Sequence, residues 1–320
     1  MTVEDVLGSP YTRETIALPD DYEGSVVTTV VHRPADGGPS RGAVLHVHGF
    51  CDYFFQTVTA EFFTSLGYDF FAVDLRKCGR SLLPHQTPNF CLDLAEYDAD
   101  LDAALRLVRE RTGHRRLVLT GHSTGGLVAP LWAQAKARDD DPVADALVLN
   151  SPWLDLQGSF FVRTAGTEAI NRLGQRRPYA TVPRTVSPVY AESLHREHHG
   201  EWGFDLQWKP LDSLPVKAGW LRAIRAGHRS VHRGLSVTAP ILVLCSQRSV
   251  VPQSYTDEVH DVDVVLDVRQ IAKWSPQLGE SVTLLRLPGA MHDVFLSRKE
   301  VREDAFARTQ RWLDYALAET

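Results

Sequence analysis

The stretch Leu117-Val118-Leu119-Thr120-Gly121-His122-Ser123-Thr124-Gly125-Gly126 decides how this chain reads. Its first three residues are apolar and suited to a buried strand, and a long helical pattern runs from Thr124 to Arg138. Between strand and helix stands a G-x-S-x-G turn. Gly121 and Gly125 leave room where a Cβ would strike neighbouring backbone. The turn holds Ser123 with its Oγ exposed and a helix N-terminus behind it, where developing negative charge is stabilised. Composition alone produces a bare G-x-S-x-G in roughly one chain in ten of this size. The strand before it and the helix after it therefore carry the reading.

The same alternation extends outward in both directions. Short apolar runs recur at Val26–Val31, Ala43–Val47, Phe70–Val73, Ala146–Leu149, Ile241–Leu244 and Val282–Leu287, each bounded by Gly, Pro, Asp or Asn. Strands buried on both faces of a parallel sheet have this composition. Between them lie helical patterns, with Leu94, Asp98, Leu101, Leu105 and Val108 on one face and Phe306, Trp312, Leu313 and Leu317 on another. Alternating strands and helices predict an α/β fold with a mostly parallel sheet. Residues 153–236 break the rhythm. They are rich in Trp, His, Arg and Pro and show no clean strand–helix alternation. The expected organisation is a core of residues 1–152 and 237–320 with 153–236 inserted as a cap or lid over the C-terminal edge of the sheet, where ligands of such folds bind.

Composition removes several function classes. The chain has 320 residues, 43% hydrophobic and 23% charged, with a formal net charge of −6. This is ordinary globular usage, not that of a disordered chain. No long basic run suggests nucleic acid or an anionic membrane as a partner. Cys51, Cys78, Cys91 and Cys245 are widely spaced with no C-x-x-C. They read as reduced thiols rather than as a zinc knuckle or a redox pair. Met1-Thr2-Val3-Glu4-Asp5 puts acid where a signal peptide has base, and no apolar run approaches the roughly 18 residues of a membrane span. The expectation is a cytoplasmic protein without an integral membrane segment. Oligomeric state is not legible.

Further landmarks flank the turn: His48-Gly49-Phe50 after one early strand, Asp74 to Ser81 after the next, and Gly289-Ala290-Met291-His292-Asp293 near the C-terminus. With these, the chain resembles the α/β-hydrolase fold, and within it the monoacylglycerol lipases, lysophospholipases and related esterases, which are serine aminopeptidase S33-like. The resemblance covers most of the chain outside 153–236. It implies a mostly parallel eight-stranded sheet flanked by helices. It departs at Lys77-Cys78-Gly79, where the family often has a Gly-His-Gly-like turn.

The chemistry follows from the residue types. A serine hydroxyl needs an imidazole as general base. In this fold the order along the chain is Ser, acid, His, which makes His292 the candidate base. The resemblance implies an Asp shortly after the strand Ile241–Leu244, in a D-x-V-V pattern, but Ser249 stands there. A serine cannot carry the charge that stabilises an imidazolium. Further on, Asp263-Val264-Val265-Leu266 approximates the pattern, and its separation from His292 fits the family where that of Ser249 does not. Asp263 is therefore the candidate acid, reached by an insertion of roughly 247–262. Asp267, Asp257 and Asp261 are alternatives, and Asp155 is a rival because some members take their acid from the preceding strand. Asp263 also reads as a helix N-cap.

The resemblance makes the backbone N–H groups of Phe50 and Thr124 the oxyanion hole. His48 reads as a support of the Phe50 loop. Gly49, Cys51, His122 and Trp153 are the expected substrate-binding residues, although Cys51 reads as a small buried packing residue rather than a reactive thiol. Phe54, Phe55, Phe160 and Phe161 could line an acyl pocket or fill core. His195-Arg196-Glu197-His198-His199 is not H-E-x-x-H and reads as a solvated stretch rather than a metal site. Asp74 and Arg76 read as loop supports. The expectation is a serine hydrolase that cleaves a small-molecule carboxylic ester and needs no metal or organic cofactor. Thioester, lactone or amide hydrolysis and a non-catalytic binding role are the alternatives.

Overall fold

A computed structural model describes residues 2–113, 116–138, 142–157, 160–182 and 187–318 of the chain. The strands are β1 Val3–Glu4, β2 Thr12–Asp21, β3 Gly24–Arg33, β4 Gly42–Val47, β5 Tyr68–Asp74, β6 Leu117–His122, β7 Ala146–Asn150, β8 Ile241–Ser246 and β9 Val282–Leu287. The helices are α1 Thr57–Ser65, α2 Asp98–Thr112, α3 Gly125–Arg138, α4 Phe160–Arg176, α5 Val189–Leu194, α6 Ala218–His232, α7 Val268–Trp274 and α8 Lys299–Ala316. All of the strands join one sheet in the order β1-β2-β3-β5-β4-β6-β7-β8-β9. From β5 to β9 neighbouring strands are parallel. The β1, β2 and β3 end is antiparallel, including the β3–β5 pair.

Among the described residues the sheet has nine strands rather than the expected eight; the edge pairing of Val3 and Glu4 with Arg13 and Thr12 is only two residues long. β3 had read as one of the parallel strands, but both of its neighbours are antiparallel. β2 gave no apolar run because its charged and polar residues, Thr12-Arg13-Glu14-Thr15 among them, lie on a partly exposed sheet margin. Main-chain pairing with β3, not side-chain burial, holds that strand.

The central strands β4, β6, β7 and β8 are buried along their whole length. Alternate residues serve opposite faces. Leu45, Leu119, Leu147, Leu149 and Val243 enter one core cluster with residues of α2, α3 and α6. Val44, Val118, Val148, Leu242 and Leu244 enter a second with residues of α1 and α8. Because both faces are covered, most positions are apolar, which explains the hydrophobic runs, and the buried polar exceptions His46 and Thr120 hydrogen-bond to each other. The segment between β7 and β8 carries α4, α5 and α6. Trp220, Leu221, Ile224 and Val231 of α6 belong to the first core cluster, so this helix shares the layer that covers the sheet. His228 and His232 of α6 donate through Nε2 to the carbonyls of Trp153 and Leu154, both at 2.9 Å, and so hold the chain leaving β7 against the helix.

Candidate active site

The parallel strands deliver the site to one edge of the sheet. β6 ends at His122, and Ser123 follows in the left-handed region at φ 52°. A non-glycine residue seldom adopts this conformation, and it marks a strained turn. Two hydrogen bonds hold it: Ser123 N donates to Asn150 O at 3.0 Å, and Trp153 N donates to Ser123 O at 2.9 Å. The flanking glycines are sterically obligatory. A Cβ on Gly121 would lie 2.5 Å from Gly125 O, and one on Gly125 would strike the carbonyls of Val47 and His48. Gly125→Ala is expected to cost about 3 kcal/mol through this overpacking, read as a lowered urea midpoint. An unchanged midpoint would show that the turn can relax.

His292 lies on the loop after β9. Its Nδ1 is 2.9 Å from Asp263 Oδ2, and both side chains are buried. An ionised carboxylate only accepts, so the ring nitrogen donates and Nε2 is left unprotonated in the neutral imidazole. Asp263 Oδ1 accepts from the Val265 and Leu266 amides, each at 2.8 Å. The carboxylate is thus fixed at both oxygens. The cap of α7 is Asp267, which accepts from Arg269 N; Asp263 does not fill the helix-cap position that the sequence allowed.

The structure also shows how Asp263 comes to stand there. Ser249 and Asp263 form a parallel β-bridge, with Val250 N donating to Asp263 O at 3.0 Å and Asp263 N to Arg248 O at 3.1 Å. The excursion 250–262 leaves the end of β8, returns, and lays Asp263 beside Ser249. The other candidate acids are engaged elsewhere. Asp257 and Asp261 face Arg298 at 2.7 and 3.4 Å, and Asp155 holds Arg225 Nη1 at 2.6 Å.

The loop after β4 passes close to Ser123: a Cβ on Gly49 would lie 3.2 Å from that of Ser123. His48 donates through Nδ1 to Gly49 O at 2.7 Å and accepts at Nε2 from Leu75 N at 3.1 Å, which fixes the loop to the end of β5. Cys51 is left-handed at φ 51°, and its amide donates to Asn89 Oδ1 at 2.8 Å. The Phe50 ring packs on Trp220 with centroids 4.2 Å apart.

Ser123, His292, Phe50 and Thr124 all line one cavity of about 210 Å³, together with Gly49, Cys51, His122 and Trp153. Trp153, Val216, Trp220, Leu221 and Leu266 form an apolar wall; Asp52, Lys209 and Ser213 form a polar one. Phe54 and Phe55 are core residues outside this lining. The side chains of Phe160 and Phe161 lie outside the described residues. His195 is buried and donates to Phe204 O, while His199 stacks on Tyr255 at 3.6 Å. Among the described residues no group of three or more His, Cys, Asp or Glu could hold a metal. Asp74 binds Arg80 at 2.9 Å and Arg76 binds Asp100 at 2.7 Å. Lys77, at the departure from the family turn, reaches Asp21 and Glu23, both at 2.7 Å.

Sequence reading missed two features of this site. One is the buried ion pair of Lys209 Nζ and Asp52 Oδ1 at 2.9 Å. Burial alone would raise the Asp52 carboxyl, but the Lys209 ammonium with its hydrogen bond, together with His122 and His48, holds the group below its ordinary value of 3.8. The stability this pair adds is present above the ordinary carboxylate range and is lost as pH falls through the lowered folded value. Lys209→Met leaves a buried carboxylate unpaired and is expected to cost about 3–5 kcal/mol. The measurement is the urea midpoint at pH 7, with Asp52→Leu/Lys209→Met expected to regain most of the loss; equal midpoints for wild type and Lys209→Met would refute it. The other missed feature is Asn150, which touches both Ser123 and the His292 loop. Neither had a local signal, because both depend on partners far away along the chain.

The sequence profile of the serine aminopeptidase S33 family matches residues 38–297, most of the chain. The chain belongs to that family. No curated protein sequence matches it. Solved structures share its fold. A soluble variant of monoglyceride lipase from Saccharomyces cerevisiae, in complex with a substrate analog, superposes with a TM-score of 0.69 at 17% identity, covering 95% of each chain. Monoacylglycerol lipase of Paleococcus ferrophilus gives 0.65 at 18% identity, covering 90% of this chain and 98% of its own. A thermostable carboxyl esterase from Bacillus coagulans gives 0.65 at 15%, covering 95% of this chain and 98% of its own. At such identities the likeness is one of fold. With its family and fold established, this S33 member is an α/β-hydrolase.

Proposed function

We propose that the chain is a serine esterase acting on a small carboxylic ester through an acyl-enzyme on Ser123. The observation that carries this is the buried Asp263–His292 hydrogen bond, which directs the free ring nitrogen of a residue that shares the cavity with Ser123. Ser123 Oγ attacks the ester carbonyl carbon while His292 Nε2 takes its proton. The carbonyl oxygen becomes an oxyanion held by the N–H groups of Phe50 and Thr124. As the tetrahedral centre collapses, His292 returns the proton to the departing alcohol. Water then gives a proton to His292 and attacks the acyl carbon, releasing the acid and restoring Ser123. Asp263 keeps the imidazole in one tautomer and stabilises the imidazolium.

Residues 153–236 act as the cap in this reading, since Trp153, Lys209, Val216 and Trp220 supply much of the cavity wall. The lipase and esterase neighbours support an ester rather than an amide. Four buried, unpaired cysteines support a reducing, cytoplasmic setting. Among the described residues no helix is long and apolar enough to cross a membrane.

The cavity is smaller than the ~300–1,000 Å³ of sites that enclose drug-sized ligands. A short acyl chain therefore fits. Purified protein is expected to hydrolyse p-nitrophenyl butyrate with kcat/KM at least about tenfold above the palmitate, a difference of ~1.4 kcal/mol. Faster turnover of the palmitate would overturn the size argument. Turnover of a p-nitroanilide with none of either ester would move the activity to amides.

A further inference from the structure

Asn150 ends β7, and its backbone carbonyl accepts from Ser123 N at 3.0 Å and from His122 Nδ1 at 3.2 Å. Its side chain reaches the opposite way. Nδ2 donates to Asp293 Oδ1 at 2.6 Å, and Oδ1 accepts from Val294 N at 3.0 Å. Asp293 and Val294 directly follow His292. One residue therefore binds the turn that carries the nucleophile through its backbone and the loop that carries the base through its side chain. Asp293 Oδ1 also accepts from Phe295 N at 3.1 Å, and its Oδ2 faces His122 Nε2 at 4.0 Å. Asn150, Asp293, His122 and His292 are all buried, so water does not compete for these bonds.

We propose that Asn150 is a positioning residue that sets the separation of His292 from Ser123, acting through Asp293 and Val294. This rests on the serine-hydrolase reading. The two supports of His292 are distinct. Asp263 fixes the rotation of the ring through Nδ1; Asn150 fixes where the loop stands relative to the turn. Proton transfer between Ser123 and His292 depends steeply on that placement, while substrate binding in the cavity wall does not.

The test uses Asn150→Ala and Asn150→Asp in the full chain, with p-nitrophenyl butyrate turnover and the rate of Ser123 phosphonylation by a fluorophosphonate. Asn150→Ala is expected to lower kcat and the phosphonylation rate by about 10–100-fold with KM within about twofold. Asn150→Gln, which keeps the amide but displaces it by a methylene, is expected to lose the same and serves if the alanine chain does not fold.

Asn150→Asp separates positioning from general structural support. Its new carboxylate lies against Asp293, and two carboxylates so close share one proton. In the protonated form one O–H donates to Asp293 Oδ1 and the remaining oxygen accepts from Val294 N, as the amide does. Doubly ionised, the pair repels and displaces the loop. Relative to the wild-type profile, the Asn150→Asp rate is expected to peak and then fall as pH rises, to about 30-fold below wild type by pH 8. The charged and titratable groups facing this pair are His122 at the end of β6, His292 on its own loop, Tyr190 of α5, and Asp52 and Lys209 across the cavity. They are common to both proteins, so the inverted limb belongs to the introduced carboxylate. Near-ultraviolet circular dichroism at each pH checks that the fold persists. An Asn150→Asp profile parallel to wild type, or an unchanged kcat in Asn150→Ala, overturns the positioning role while leaving the hydrolase reading intact. A wild-type protein with neither phosphonylation nor turnover overturns both.

Discussion

Ser123→Ala is expected to remove both the fluorophosphonate adduct and ester turnover, with kcat falling by about 10⁴–10⁶-fold. The mass of the intact protein after labelling should rise by one phosphonyl group in wild type and not at all in the variant. The size of the effect follows from the chemistry. Without Oγ there is no acyl-enzyme, and any residual rate comes from oxyanion-hole donors acting on a water attack. The substitution should leave the fold intact. Ser123 is at φ 52°, a conformation alanine tolerates no worse than serine, and the main-chain bonds to Asn150 and Trp153 are untouched. A surviving adduct in Ser123→Ala would place the nucleophile elsewhere. Turnover without an adduct in wild type would exclude a reactive serine.

The second large effect concerns the acid. Asp263→Asn is expected to lower kcat by about 10⁴-fold with little change in KM, because an amide presents the wrong partner to Nδ1 and cannot stabilise an imidazolium. The β-bridge sharpens this prediction. Ser249 and Asp263 lie side by side across an isolated parallel β-bridge, about 4.8 Å apart in the pairing direction. An acid moved from Asp263 to Ser249 therefore stays near the imidazole. Ser249→Asp/Asp263→Ala is expected to recover at least about tenfold over Asp263→Ala, which is ~1.4 kcal/mol of transition-state stabilisation. If Asp263→Asn keeps full activity, the acid is another group. Asp155 is a poor replacement while Arg225 occupies it at 2.6 Å.

The sequence was legible where the constraint is local. The turn at Gly121–Gly125 is dictated by collisions within a few residues and with one adjacent strand end, so five residues announce it. The central strands announce themselves because both faces are buried and most positions are apolar, as in Ala43–Leu45 and Ile241–Leu244. α3, over Gly125–Arg138, lies where its pattern placed it. β2 was invisible for the converse reason: its side chains bury little, and pairing with β3 defines it. The His195–His199 run looked distinctive because of composition alone; in the fold its members make separate contacts with Phe204 and Tyr255.

By itself, then, the sequence determined the α/β class, the serine on its strained turn, the Gly49 loop after β4 and the histidine after the last strand, since each is encoded by contiguous residues with short-range steric or burial demands. For the acid it favoured Asp263, with Asp267, Asp257, Asp261 and Asp155 as alternatives. The tertiary structure decided which of them faces His292, that Lys209 and Asp52 pair inside the cavity, and that Asn150 reaches the His292 loop. These contacts join residues 29, 157 and 143 positions apart. Their partners are chosen by how the sheet edge and the segment over it pack, and in a buried setting each hydrogen bond or ion pair must be satisfied by whatever that packing brings near.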